Sequence, residues 1–257
     1  MDNIFCYTRS MKKEIMMKQS QAKKQDNAMT NKILMGLITL VLGLLFLEIL
    51  IIHSKNEQQK SASNQVQTAR IMANGDLLYH DGLYMSALQA DGSYDFTENF
   101  TYVKPWLKQA DLVLGDFEGA INPDYPLSGY PLFNAPQSVT TAIKNAGYDV
   151  MDLAHNHILD SGLEGAFTTA DAFKEVGIDP VGVYENPVRD KAPLLIKNVN
   201  GIKVAILSYA YGYNGLESNL TDKEVADHLS NLDEKRMKAE IQRAEKEADV
   251  TVIMPQM

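Results

Sequence analysis

The stretch that most constrains the fold is Tyr148 to Gly162, YDVMDLAHNHILDSG. Val150, Met151, Leu153 and Ala154 form an apolar run broken only by Asp152, the pattern of a short buried strand. The chain then turns polar at His155, Asn156, His157 and Asp160. Ser161 with Glu164 three residues later reads as a capping box. Leu163, Ala166, Phe167, Ala170 and Phe173 follow at helical spacing. Strand, polar turn and amphipathic helix together make the unit of a parallel α/β sheet, which collects its chemistry at the carboxyl ends of its strands.

Two further stretches have the same form. Ile71-Met72-Ala73-Asn74 runs into Gly75-Asp76, and Leu112-Val113-Leu114-Gly115 runs into Asp116-Phe117-Glu118. A single Gly-Asp pair is an ordinary turn signal. Three such strand ends in order bring together Asp, Glu, Asn and His. Hard oxygen donors with imidazole suit Mn, Zn, Fe or Mg rather than a thiolate site.

These residues carry a family resemblance. The GD at 75–76, GDFE at 115–118 and AHNH at 154–157 resemble the GD, NLE and ANNH motifs of the CapA family of poly-γ-glutamate capsule proteins, which is itself similar to the calcineurin-like metallophosphoesterases. The resemblance runs from about Arg70 onward and takes in Ala110-Asp111, Ala146 to Val150, Leu159 to Gly162 and Asn200 to Ala205. It implies the amino-terminal part of a metallophosphatase-like α/β sandwich, a mixed sheet with flanking helices. It also implies roles: Asp76, Glu118 and Asn156 as metal ligands, with Glu118 as the bridge, and His157 as the residue that meets phosphate or leaving group. Asp116 stands where the family has Asn, and His155 replaces the first Asn of ANNH. His80 is a further candidate near Asp76, against the plainer reading of a loop histidine. His228 reads as solvated. The letters His155-Asn156-His157 do not make a nuclease motif, because neither zinc-knuckle cysteines nor a basic patch accompany them.

The amino-terminal part is of another kind. Residues 1–32 are polar and Lys-rich without apolar periodicity, which predicts a disordered cytoplasmic tail. Residues 33–52 are apolar apart from Glu48 and a few small or polar positions, and about 20 such residues span a bilayer core. Arg9, Lys12, Lys13, Lys18, Lys23, Lys24 and Lys32 all precede this run. The positive-inside rule therefore predicts a single-pass signal anchor in the cell membrane, amino terminus inside and the remainder outside. Its length, and the want of a small-x-small site just after it, argue against a cleaved signal peptide. Residues 53–68 read as a Ser/Asn/Gln tether, and 69–257 as the folded domain. Residues 54–257 hold 17 Lys and Arg against 29 Asp and Glu, net −12, which excludes nucleic acid as a natural partner. The sole cysteine, Cys6, rules out an intrachain disulfide.

Along the domain, a short helix lies within Tyr79–Tyr94, and a helix over Glu98–Ala110 is broken or restarted at Pro105. A proline-rich loop over 119–136 walls a cleft, and a helix over Ser138–Ala146 is closed by Gly147. Asp179 to Val183 is a strand, and strands over 194–197 and 202–209 form a hairpin at Asn200-Gly201. Tyr209, Tyr211 and Tyr213 either line a groove or pack an edge. A charged helix covers Asp233–Ala248, and a strand starts at Val250.

Two functions are open at this point. One is an extracellular component of poly-γ-glutamate capsule synthesis or export, working with the bilayer, other capsule-synthesis membrane proteins and an acidic polymer. The other is an extracellular metal-dependent phosphoesterase. The resemblance further implies ligands from a later half, where a His-Trp-Gly-like stretch follows the strand at 250–254. Here Pro255-Gln256-Met257 follows it, with the neutral amide Gln256 at the His position. The expectation is an incomplete, truncated domain whose carboxylates repel each other, hold divalent metal weakly and leave the chain catalytically silent alone.

Overall fold

The computed structural model describes Met29, Lys32, residues 34–55 and residues 66–257, which fall in two units divided at Val66 and Gln67. Most of the tail predicted over 1–32 (1–28, 30 and 31) and most of the tether predicted over 53–68 (56–65) lie outside the described residues.

In the first unit, helix α1 spans Leu34–Lys55 with a mean hydropathy of 2.7. It is long and apolar enough to cross a membrane.

The second unit is layered. Strands β1 (Ile71–Asp76), β2 (Leu112–Asp116), β3 (Val150–Asp152) and β4 (Asp179–Val181) form a four-stranded sheet in that spatial order, every pair parallel. Helices α4 (Ser138–Ala146) and α5 (Gly162–Glu175) connect β2 to β3 and β3 to β4. Two shorter helices precede them, α2 (Asp81–Ala87) and α3 (Lys104–Leu107). Strands β5 (Leu195–Val199) and β6 (Ile202–Ala210) form an antiparallel hairpin, and β7 (Val250–Gln256) lies parallel to β6. Helices α6 (Asp222–His228) and α7 (Glu234–Glu247) lie between β6 and β7 in sequence.

Strand alternation sorts the core into layers. Val113 and Met151 pack with Val139, Ile143, Ala166 and Phe173 of α4 and α5. Leu112, Leu114, Val150 and Val181 point the other way, onto Val199, Val204 and Ile206 of the second sheet. Ala205, Leu207 and Tyr209 of β6 then pack under Ala244 of α7. The order is helices, parallel sheet, three-stranded sheet, helix. The α/β sandwich expected from the sequence is thus present, with the parallel sheet facing a mixed one and helices flanking them.

Local features follow their sequence signals with named exceptions. Gly147 ends α4 at φ 118°, and the hairpin turns through Asn200 and Gly201 at φ 53° and 88°, both in the left-handed region that such a turn requires. The helix expected over Glu98–Ala110 is instead a 3₁₀ turn at Thr97–Phe100 and the short α3. Pro105 sits in the first turn of α3, where its fixed φ and missing N–H cost nothing; it starts a helix rather than interrupting one. The capping box expected at Ser161 does not form, and the Ser161 hydroxyl is buried without a partner. A capping box does form at Thr221 and Glu224 on α6. His228 is half-buried rather than free in solvent: its Nδ1 lies 2.7 Å from the Tyr184 carbonyl and its ring meets Phe167 edge-on. Tyr209 and Tyr213 are buried and Tyr211 is exposed, so this run packs the fold rather than lining a groove.

Candidate active-site cleft

The cleft is set by strand register. Asp116, the last residue of β2, pairs with Asp76 on β1 and with Asp152 on β3. Each aspartate ends its strand, so the carboxyls sit side by side at the carboxyl edge of the parallel sheet. By alternation with Leu114 and Val150, Asp116 and Asp152 face the space between the sheets. Ser208 of β6 lies on the facing side and hydrogen-bonds Asp152, which also accepts the Ala154 N–H at 2.8 Å. A bulge in the β1–β2 pairing between Ala73 and Asp76 lets Asp76 reach the same cluster.

β2 is held close to its neighbours by Gly115, since a Cβ there would come within 2.8 Å of the Tyr148 ring. Beyond β4, Gly182 has φ 104°, and a Cβ on it would lie 2.6 Å from the Ala154 nitrogen. The bare backbone of Gly182 lets this segment lie against the turn that carries His155, Asn156 and His157.

Burial and mutual repulsion set the electrostatics. Asp116 is pushed up to about 7, by burial first and then by the Asp76 charge. Glu118 is likewise raised to about 7 by burial, with contact from Asp76 and the charges of Asp116 and Asp160 adding to it. Asp152 is raised well above the ordinary carboxyl range by burial and by Asp116. Gathering carboxyls in a low-dielectric edge disfavours full ionisation. His157 stands across from them, its Nε2 4.0 Å from Glu118 Oε1. Its Nδ1 lies 2.8 Å from Asp160 Oδ2, and that same oxygen accepts the Phe133 N–H at 2.6 Å. The Phe133 ring packs edge-on against the His157 imidazole, so the proline-rich loop does wall this side of the cleft. An imidazole fixed through one nitrogen by a carboxylate presents the other to the cleft, the arrangement needed to donate a proton to a leaving group.

The remaining candidates divide. Asn156 faces β7: Gln256 donates to its Oδ1 at 2.8 Å, and its own amide donates to Asn214 at 3.1 Å. Asn156 therefore joins the cleft through Gln256, with its oxygen already engaged. His155 is fully buried, and its Nδ1 accepts the His157 N–H at 3.2 Å. Burial lowers its pKa to about 3, so it is neutral and braces the turn. His80 is exposed beside Asp81 and packs on Phe133, one ring away from His157. Sequence reasoning gave no role to Asp152, Ser208 or Asn214, and left Asp160 out of the site. Asp152 had a readable signal, a lone carboxylate on the buried parity of an apolar strand; Ser208, 56 residues away, had none.

The donors suit a hard divalent cation in chemistry. Asp116 Oδ1, Asp160 Oδ1 and Gln256 Oε1 are buried acceptors without hydrogen-bond partners, and such atoms are costly unless satisfied. Asp76, Asp116 and Glu118 would hold the ion. As the side chains stand, no group of His, Cys, Asp or Glu among the described residues is gathered tightly enough to close a coordination shell, so the set is a partial one.

Over 115 residues the chain is 36% identical to a capsule biosynthesis protein CapA of Bacillus anthracis, covering 43% of this chain and 28% of that one. Over 204 residues it is 26% identical to the PGA biosynthesis protein CapA of Bacillus subtilis, covering 77% and 52%. The chain thus spans about half or less of the length of these relatives. A Staphylococcus aureus protein assigned as a 5′-nucleotidase, solved in complex with alpha-ketoglutarate, superposes with a TM-score of 0.47 at 13% identity, over 73% of this chain and 37% of that one. The profile described as bacterial capsule synthesis protein PGA_cap matches residues 70–257, every strand of the two sheets and the whole cleft, and the chain belongs to that family.

Proposed function

We propose that this chain is a membrane-anchored, extracellular component of poly-γ-glutamate capsule synthesis or export, with α1 as its single transmembrane anchor. The observation that carries the reading is the family match over 70–257, which coincides with a carboxylate cleft at the strand ends. The CapA relatives are named for capsule and PGA biosynthesis, and this chain shares the region that holds the cleft. An acidic cleft repels an acidic polymer at close range. A divalent cation held by Asp76, Asp116 and Glu118 would supply the positive charge that lets polymer carboxylates, or a phosphate group, approach. Asp160 orients His157, Phe133 covers the pair, and Asp152 with Ser208 holds the strand ends from behind.

The test uses the full chain in lipid nanodiscs. Labelled poly-γ-glutamate should bind in Mn²⁺ and be released by a chelator, and Glu118→Gln should abolish the binding. Polymer binding that is absent in every metal tested would overturn the reading. For orientation, Cys6 should resist an impermeant thiol reagent on intact cells, while protease should remove the domain. Labelling of Cys6 would reverse the topology.

A second reading, an extracellular metal-dependent phosphoesterase, is favoured by the His157–Asp160 pair facing Glu118. Phosphatase turnover with Mn²⁺ or Zn²⁺ that disappears in His157→Ala would support it over the binding role.

A further inference from the structure

Trp106 is the only tryptophan of the chain, and it does not sit in the core. It lies on α3 with a fractional exposure of 65%, beside Tyr102 at 89% and Val103 at 45%. Spacings of three and four residues put these side chains on one side of the turn. The segment Tyr102 to Gln109 reads YVKPWLKQ, with Lys104 and Lys108 and no carboxylate, in a domain that is otherwise strongly acidic. Neither lysine forms an ion pair among the described residues. Leu107, on the opposite side, packs into the core, so the turn is pinned from below while its aromatic side faces out. Isolated exposed apolar residues need no explanation. A Trp, a Tyr and a Val flanked by unpaired lysines have the composition of a bilayer interface, where aromatic rings sit at headgroup level and lysines meet anionic lipid.

The position of this turn in the fold says what it faces. Arg70, just before β1, accepts the Asp111 N–H at its carbonyl, donates its own N–H to Asp111 Oδ2 at 2.8 Å, and reaches the Gln109 carbonyl through its guanidinium at 3.3 Å. The α3 turn is therefore tied to the place where the chain enters the domain. In sequence, residues 56–65 lie between the end of α1 and Val66. This end of the parallel sheet is also the one opposite the cleft, because α3 leads into the amino end of β2 while Asp76, Asp116 and Asp152 end their strands.

We infer that Tyr102, Val103 and Trp106, with Lys104 and Lys108, form a foot that rests in the headgroup layer of the anchoring bilayer and holds the cleft facing away from the membrane. The inference rests on the reading of α1 as a membrane span. A substrate arriving from the membrane side would then pass the edge of the domain rather than dock under it.

The test reads Trp106 in the intact chain, reconstituted in vesicles of phosphatidylcholine and phosphatidylglycerol. All tryptophan emission belongs to Trp106, so acyl-chain-brominated lipids report its depth directly. Shallow-brominated lipid should quench emission by about half and deep-brominated lipid less, as for an interfacial ring. Replacing both Tyr102 and Val103 by Ser should reduce that quenching while leaving the fluorophore in place. Raising the phosphatidylglycerol share should strengthen it. Emission that brominated lipid does not touch and aqueous acrylamide quenches freely would overturn the foot. A blue-shifted emission that depends on protein concentration and not on bromine would overturn it in favour of contact between copies. An alkaline wash reads the anchor separately: a chain retained on the vesicles with unquenched Trp106 refutes the foot alone, and a chain washed off with Trp106 quenched beforehand refutes the span alone.

Discussion

Replacing Asp116 by asparagine should make the metal-free protein more stable than wild type, by a margin that grows as the pH rises. In the folded chain burial and Asp76 lift the Asp116 carboxyl from an ordinary 3.8 to about 7, and in the unfolded chain it returns to the ordinary value. Between those values the folded state holds the extra proton, so stability falls as pH climbs through that window. At about 1.4 kcal/mol per pH unit, the cost above pH 7 is roughly 4 kcal/mol, and at pH 5 it is roughly 2 kcal/mol. Asparagine keeps the shape and carries no such cost. The difference between variant and wild type should therefore shift in favour of the variant by about 2–3 kcal/mol between pH 5 and pH 8. Denaturant unfolding of the full chain in mild detergent with EDTA, followed by Trp106 emission at each pH, measures this. A difference that is flat across the window, or that shifts towards wild type, would refute the burial and repulsion on which the account of the cleft depends. Adding Mn²⁺ at pH 8 should narrow the gap, because a cation favours the ionised carboxyls that asparagine lacks.

Other perturbations test separate parts of the structure. Asp160→Asn alters the oxygen shared by the Phe133 N–H and His157, and should cost about 1.5–3 kcal/mol in denaturant unfolding. Gly182→Ala forces a positive φ and a contact with Ala154; a loss of about 3 kcal/mol or more is expected, read as a drop in the unfolding midpoint. Arg189→Leu removes a bidentate partner from Glu240 and a donor from the Leu229 carbonyl, so about 3–5 kcal/mol should be lost. Replacing Glu240 with Gln in the same chain should recover part of that loss.

The elements that carry the cleft could be read directly, because each was specified by neighbours in sequence. The apolar runs ending at Asp76 and Asp116, the Asn200-Gly201 turn and the Gly147 stop of α4 are local signals, and local geometry satisfies them. Ser161 misled for a physical reason. Gly162 opens α5 at φ 76°, so the chain swings into the helix from the left-handed region. The Ser161 hydroxyl then lies over Gly165, where a Cβ would meet it at 2.0 Å. Pro105 was legible: the restart expected there is the start of α3, whose first turn tolerates proline. What was least legible was non-local. The Asp152–Ser208 pair and the Gln256–Asn156–Asn214 amide chain join residues 56, 100 and 58 positions apart, and nothing in the local pattern of either partner announces the other. Asn156 shows the consequence: the motif marked it as a candidate ligand, and its amide partner Gln256, from the facing sheet, was not legible beside it.

The central claim is that Asp76, Asp116 and Glu118 form one cation-responsive cleft. Titrating Mn²⁺ into the metal-free full chain near pH 7, by calorimetry in buffers of different ionisation enthalpy, tests it most directly. Carboxyls held up near 7 must shed protons to take a cation. Saturable binding with proton release is therefore expected, weakened in Asp116→Asn and lost in Glu118→Gln. Binding without proton release, or binding that survives Glu118→Gln and Asp76→Asn unchanged, would contradict the account.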